Sequence, residues 1–310
     1  MPTFLRPPAV LGLVIAAAAW LPARAADAPA RKQVIGHRGA SGYAPEHTLA
    51  SYRLAIRQKA DFVEPDLGVT KDGVLICLHD DTLERTTNIA EVFPDRPSAN
   101  VPTRAPGKHW LANDFTLAEI KQLDAGKWFK PEFAGEHVVS FQEMIDLVRG
   151  SGSGIYPELK SPPLYKARGL DMEQIFVNVV KKNGLETPES LKTFPVIIQS
   201  FDEESIRRVA VDLPTIPRVF LTSSANDVTD ARLAELAAFA TGIGPEKRLV
   251  AEHPDMVERA HKAGLTVTSW TFAAGSTGSF PTVRDEMAHY LYDLGIDALF
   301  TNNPDQFPRR

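Results

Sequence analysis

The sequence contains a single cysteine, Cys77, among its 310 residues. One thiol makes no internal disulfide, so the fold must rest on its core rather than on covalent staples. Basic charge is also short. The 34 lysines and arginines are outnumbered by 39 aspartates and glutamates, giving a net charge of -5. A nucleic-acid partner, which needs a basic face, is therefore not expected. No apolar run reaches the 18 residues that would mark a bilayer-spanning helix, so no stable membrane insertion is expected. Internal repeats and low-complexity linkers are absent too, which points to one domain.

What is present begins with an unusual N-terminus. Arg6 precedes an apolar run from Ala9 to Leu21, and Ala23-Arg24-Ala25 follows. A positive start, a short apolar stretch and an A-x-A site predict a secretory signal peptide over 1–25, cleaved before Ala26. No cysteine lies near that site, which excludes a lipoprotein anchor. The Ala/Pro-rich style suits bacterial export, to the periplasm or the medium. Residues 26–310 then form the mature domain, in a chain with 44% hydrophobic and 24% charged residues, an ordinary globular balance.

Short β-rich runs recur along that domain. They are Val34–Gly36, Phe62–Val69, Val74–Leu78, Gly154–Leu159, Val196–Gln199, Arg218–Leu221, Thr241–Ile243, Leu265–Trp270 and Ala298–Phe300. Helical patterns over Thr48–Gln58, Met172–Lys181, Glu203–Val211, Thr229–Phe239, Pro254–Ala263 and Val283–Leu294 separate many of them. Alternating strands and helices imply a parallel sheet. The gap between Thr70 and Val74 is too short for a parallel crossover. Asp72-Gly73 suits a two-residue hairpin turn, so Val74–His79 is expected to fold back antiparallel. Eight parallel strands remain, the number of a (β/α)8 TIM barrel; an open doubly wound sheet is the alternative. Residues 82–137, rich in proline and aromatics, break the rhythm and read as an insertion over the barrel mouth after the first hairpin.

In such barrels the chemistry sits at the carboxyl ends of the strands. His37 and Arg38 end the first strand. Glu64 and Asp66, two apart on the second, share a face. A two-residue turn pairs Lys71 with Val74, and counting back sets His79 opposite Asp66, on the same face. Glu158 and Lys160 end the next strand, and Gln199, Trp270 and Asp297 lie on later ones. Carboxylates with no thiolate nearby suggest a hard divalent cation with oxygen ligands, Ca2+ or Mg2+. Two histidines then remain for proton transfer, and Arg38 and Lys160 for an anion. Together these groups fit attack on a phosphodiester.

Plainer roles compete at several positions. Glu46 precedes a helix, where a negative charge is favourable in itself, or it hydrogen-bonds into the site. His47, His109, His137, His253, His261 and His289 follow no usable pattern and default to surface or structural roles. Trp110, Trp128 and Phe129 form either a small core of the insertion or a lid over the substrate. A strand-end Trp270 is either core or pocket wall.

The fragments "GHRGASGYAPEHTLASY", "ADFVEPDLGVTKDGVLICLHDDTLERTT", "GIYPELKSP", "QSFD" and "GIDALFTNNPD" resemble the glycerophosphodiester phosphodiesterase family, most closely its periplasmic bacterial members. The resemblance runs from Val34 to Phe307. It implies a hydrolase that cleaves glycerophosphodiesters, such as glycerophosphocholine and glycerophosphoethanolamine, to sn-glycerol 3-phosphate and an alcohol. By the same resemblance His37 and His79 are the acid/base pair, and Glu64, Asp66 and Glu158 hold one divalent cation, with Ca2+ typical of the periplasmic type. Arg38 and Lys160 would contact phosphate, Trp270 would wall the pocket, and the insertion would help to recognise glycerol. Glu46 and Gln199 are supporting candidates behind these groups. Two departures stand out: Pro65 separates the paired carboxylates, and Asn302 stands where the family often has aspartate. Rival readings are a phospholipase D-like enzyme acting on lysophospholipid or sphingolipid, and a non-catalytic periplasmic binding protein for glycerophosphodiesters. A binding protein would need the cations Arg38 and Lys160 but not two histidines flanking a metal.

Overall fold

The computed structural model describes residues 31–99, 101 and 105–310. The predicted signal peptide, 1–25, lies outside the described residues. Eleven strand segments follow in chain order: β1 Gln33–Gly36, β2 Phe62–Val63, β3 Asp66–Val69, β4 Leu75–Cys77, β5 Gly154–Ile155, β6 Glu158–Leu159, β7 Ile198–Ser200, β8 Arg218–Thr222, β9 Gly242–Pro245, β10 Thr266–Phe272 and β11 Ala298–Thr301. β2 and β3 are halves of one predicted strand, broken at Glu64-Pro65. β5 and β6 are halves of another, broken at Tyr156-Pro157. A proline has no N–H to give to a ladder, and both breaks contain one.

Pairing closes the ring. β1 pairs in parallel with β2 and β11, β2 with β5, and β3 with β6. β6 pairs with β7, and the parallel chain continues through β8, β9 and β10 back to β11. With each broken strand taken as one, this is the predicted eight-stranded (β/α)8 barrel, with β4 added antiparallel to β3. Helices cover the outside. The first, Leu49–Arg57, is capped by Thr48, whose side chain accepts from Ser51 N–H.

The two-residue turn is corrected by one position. Leu67 pairs with Cys77 and Val69 with Leu75. The loop has three residues, Lys71 to Gly73, because Gly73 takes a left-handed φ of 77° after the turn. Leu78 N–H, not that of His79, donates to Asp66 O.

Period-two alternation builds the barrel interior in layers. Ile35, Phe62, Tyr156, Ala298 and Phe300 form an apolar plug, with Tyr156 edge-on to both Phe62 and Phe300. Two residues further along these strands, on the same inward side, come His37, Glu64 and Glu158. The plug thus forms the floor beneath a polar layer at the carboxyl ends of the strands. The region after the hairpin has a core of its own. Leu83, Ile89, Trp110, Phe115 and Ile120 pack with Ile76 and Leu78 of the hairpin arm. Trp110 and Phe115 are therefore core residues rather than a lid.

Candidate active site

Strand register brings the first acids together. Asp66 lies level with Glu158, and Glu158 with Gln199, across three neighbouring strands. Glu64 joins them from the Pro65 break. Glu64, Asp66 and Glu158 are all buried, and ligand oxygens from the three lie within 4.8 Å of one another. Burial, followed by Asp66 and Glu158, pushes Glu64 well above the carboxylate range. Burial and Asp66 push Glu158 up to about 8 against the opposing Lys160. Burial acts in the same sense on Asp66, but the His47 hydrogen bond and the charges of Arg38 and Lys160 outweigh it and hold Asp66 low. Negative charge therefore exceeds what the protein's own cations neutralise, which is the condition that a bound cation relieves. An all-oxygen donor set fits a hard divalent ion.

The cations arrive from two turns. Arg38 has a left-handed φ of 56° and precedes Gly39 at 89°. A Cβ on Gly39 would meet Ser51 Oγ at 2.3 Å, so only glycine fits there. This turn lets Arg38 N–H donate to Glu64 Oε2 at 3.1 Å. The guanidinium pairs with Glu46 through Nη1 at 3.1 Å, and its Nε lies 3.3 Å from Asp66 Oδ2 without hydrogen-bond alignment. Lys160 Nζ lies 3.2 Å from Glu158 Oε1.

Both predicted histidines face one cavity of about 150 Å3, with Arg38, Glu64, Asp66, Glu158, Lys160, Gln199 and Trp270 also in its wall. His37 Nδ1 bonds Asn302 Oδ1 at 2.6 Å, and its Nε2 lies 3.8 Å from Glu64 Oε2. Burial and then Arg38 push the His37 imidazole down to about 3, so the ring is neutral. His79 arrives although the register differs by one, because the chain leaves the strand after Cys77 and turns. Its Nδ1 bonds Asp80 Oδ1 at 2.7 Å.

An ion-pair network links the two sides of the cavity. Arg85 donates to Glu46 from Nη1 and Nη2, at 3.0 and 2.7 Å, and to Asp80, which holds His79. Glu46, also bonded to Arg38, therefore supports the site from behind the cavity wall. Gln199 Nε2 donates to Glu64 Oε1 at 2.8 Å. Trp270 is a wall: its Nε1 donates to Gly244 O at 2.7 Å, and Phe201 stands edge-on to it, with 5.5 Å between ring centroids.

Several side chains fall elsewhere. Asp297 takes Val267 N–H and His261 at the opposite end of the strands from the site. Trp128, 41% exposed, rests on Phe129, and neither lines the cavity. Asp80 to Thr82, Glu84, Arg85 and His109 instead line a neighbouring cavity that shares His79 and Lys160 with the first.

Sequence reasoning missed His47, Asp80, Arg85 and Phe201. His47 Nε2 bonds Asp66 Oδ2 at 2.9 Å and its Nδ1 bonds the Tyr52 hydroxyl at 2.8 Å. Its signal was its place beside Glu46 in a polar stretch just ahead of a capped helix, close in sequence to His37 and Arg38.

A sequence profile described as the Glycerophosphoryl diester phosphodiesterase family matches residues 37–306. The chain is 37% identical over 290 residues to a glycerophosphodiester phosphodiesterase of Bacillus subtilis (strain 168), covering 90% of this chain and 86% of that one. It is 31% identical over 310 residues to an Arabidopsis thaliana glycerophosphodiester phosphodiesterase, covering 86% and 82%. Among solved structures, an Oleispira antarctica phosphodiesterase in complex with the product sn-glycerol-3-phosphate is similar, with a TM-score of 0.70, 28% identity and coverage of 89% and 95%. The glycerophosphodiester phosphodiesterase of Agrobacterium tumefaciens str. C58 is similar with a TM-score of 0.63, 26% identity and coverage of 89% and 99%.

Proposed function

Because the chain belongs to the glycerophosphoryl diester phosphodiesterase family, and is a phosphodiester hydrolase by that membership, we propose a specific reaction for it. It cleaves small glycerophosphodiesters, such as glycerophosphocholine and glycerophosphoethanolamine, to sn-glycerol 3-phosphate and an alcohol. The observation that carries this reading is the convergence of three carboxylates, two imidazoles, a guanidinium and an ammonium on one cavity. The product held by the Oleispira antarctica relative supports the same substrate class.

Glu64, Asp66 and Glu158 hold one divalent cation, Ca2+ or Mg2+. When bound, it polarises a phosphoryl oxygen and offsets the charge that builds there. Arg38 and Lys160 orient the other non-bridging phosphoryl oxygen. His37 is the base. Asn302 takes its Nδ1–H, so Nε2 carries the lone pair that removes the nucleophile's proton. His79 is the acid. Asp80 fixes Nδ1–H, and Nε2–H goes to the departing alkoxide. One P–O bond forms to the attacking oxygen and the P–O bond to the alcohol breaks. The attacking oxygen belongs to water or to the glycerol hydroxyl beside the phosphate. The second route passes through a cyclic phosphate, which phosphorus NMR of early time points distinguishes.

The test is to incubate the protein with glycerophosphocholine and assay glycerol 3-phosphate, first with chelator and then with Ca2+ or Mg2+ restored. Release that stops with chelator and returns with one ion is expected. The variants His37→Ala and His79→Ala should each lose about 10²–10⁴-fold in kcat and still bind substrate. Turnover that survives either variant overturns the acid/base assignment.

The domain is exported, to the periplasm or the medium, by residues 1–25. Protein recovered from an exporting bacterial host should begin at Ala26, and an intact Met1 in a cytosolic fraction would overturn this.

A further inference from the structure

We propose that His47 is a positioning residue of the cation site, setting its affinity by fixing one oxygen of Asp66. The inference rests on the cation reading above. Asp66 Oδ2 accepts from His47 Nε2 at 2.9 Å, and the charge of Arg38 approaches the same oxygen, with Nε at 3.3 Å but not aligned to donate. Both contacts fall on the same oxygen, which leaves Oδ1 for the cation.

The donor and acceptor roles in this chain are determined. An ionised carboxylate only accepts, so His47 carries its hydrogen on Nε2. The neutral ring then accepts at Nδ1, and the Tyr52 hydroxyl, 2.8 Å away, donates to it. Every link therefore points toward Asp66, and each tautomer is fixed by the next partner. His47, Tyr52 and Asp66 are all buried, with His47 4% and Asp66 1% exposed, so water does not replace a missing link. Three elements supply the chain: the turn before the first helix, that helix, and β3.

The backbone supports the same role. His47 sits at a left-handed φ of 58°, a conformation that residues with a side chain seldom adopt. Its N–H donates to Arg38 O at 3.1 Å. The turn that presents Arg38 and the ring that holds Asp66 are thus tied to one another. A histidine kept there for packing alone would not need an acceptor-only partner on one nitrogen and a hydroxyl donor on the other.

The experiment measures binding of the metal alone. Chelator-stripped protein is titrated with CaCl2 by calorimetry, for wild type and for His47→Ala, His47→Gln and Tyr52→Phe. Alanine and glutamine bear the same backbone strain, but the glutamine amide restores an N–H near the place of Nε2. His47→Ala should weaken Ca2+ binding about 10–100-fold. His47→Gln should recover most of the loss, and Tyr52→Phe should weaken binding less than His47→Ala does. Near-wild-type affinity in folded His47→Ala and Tyr52→Phe overturns the inference and leaves the cation site standing. Equal losses in His47→Ala and His47→Gln also overturn it, since strain alone would then explain them. A wild type that binds neither Ca2+ nor Mg2+ overturns the cation reading, and this inference with it.

Discussion

His37 and His79 differ in what holds their Nδ1: an amide, Asn302, for the first and a carboxylate, Asp80, for the second. On the proposed mechanism, that difference separates a base from an acid within one cavity. The Asn302 amide orients the His37 ring, and burial and Arg38 outweigh the little that its hydrogen bond does for the charged form and push the imidazole down to about 3. Replacing Asn302 by aspartate adds a negative charge at 2.6 Å from the ring nitrogen. An opposite charge that close favours the imidazolium and raises its pKa by about 1–3 units. The base works only when neutral, so Asn302→Asp should move the acidic limb of the kcat/KM–pH profile upward. Asn302→Leu removes a hydrogen bond that favours the charged ring, so it should move the limb downward if at all, and should lower kcat by about 10²-fold through loss of ring alignment. A limb unmoved by the aspartate would mean that His37 is not the titrating base. Asn302 was visible in the sequence only as a departure from a family pattern. Its contact with His37 spans 265 residues, and no local periodicity reports it.

The hairpin between β3 and β4 decides whether His79 reaches the site. Asp72-Gly73 was legible as a turn, and the antiparallel return was too. The register was not, because two-residue and three-residue loops both accept a glycine with positive φ. A one-residue slip normally turns every side chain to the other face. His79 escapes that rule by lying beyond the last ladder residue, Cys77. Gly73→Ala should destabilise the protein by about 1–2 kcal/mol, read as a lower urea midpoint with unchanged m-value. The added methyl meets nothing within 4 Å, so the cost is conformational alone. A two-residue turn of the mirror type would also strain an alanine there, so the register itself is tested by amide pairing, with Leu78 rather than His79 protected by Asp66 O. The helices that escaped the sequence reading teach a related lesson. Phe141–Val148 opens on a capping box, Ser140 with Glu143, a local signal that was available. Pro162–Ala167 and Pro188–Thr193 have six residues each, too few for apolar periodicity to emerge. The strands were legible because their apolar runs fill the barrel floor. The partners Arg85 and His47 were not, because ion pairs and hydrogen bonds across loops leave no period in the chain.

Across the whole molecule, the barrel sets three acids above an apolar floor, and stability must register that charge. Glu158 is pushed up to about 8 in the folded chain, and Glu64 is raised as well, both above the ordinary value of 4.5. Between 4.5 and 8 the folded protein therefore keeps protons that the unfolded chain has released. Stability falls with rising pH wherever the folded state binds more protons. Asp66 has the opposite sign: held below its ordinary value of 3.8, it contributes stability above that pH and loses it only in stronger acid. The cation-free protein should accordingly lose melting temperature as pH rises from 6.5 to 8, a window set by Glu158 and Glu64; below 6.5 His37, neutral in the fold and protonated when unfolded, acts in the opposite sense. A bound cation reverses the sign of the problem, since it needs the carboxylates ionised and compensates them once they are. At 100 times Kd it should add about 2.7 kcal/mol to the folded state. Scanning calorimetry with chelator and with Ca2+ should then give two curves that diverge as pH rises, with the Ca2+ curve nearly flat. Calorimetric titration near pH 7, repeated in buffers of different ionisation enthalpy, should show protons released on binding. Parallel curves and no proton release would mean that the three carboxylates are already ionised before the cation binds, so that the raised values of Glu64 and Glu158 do not set its affinity.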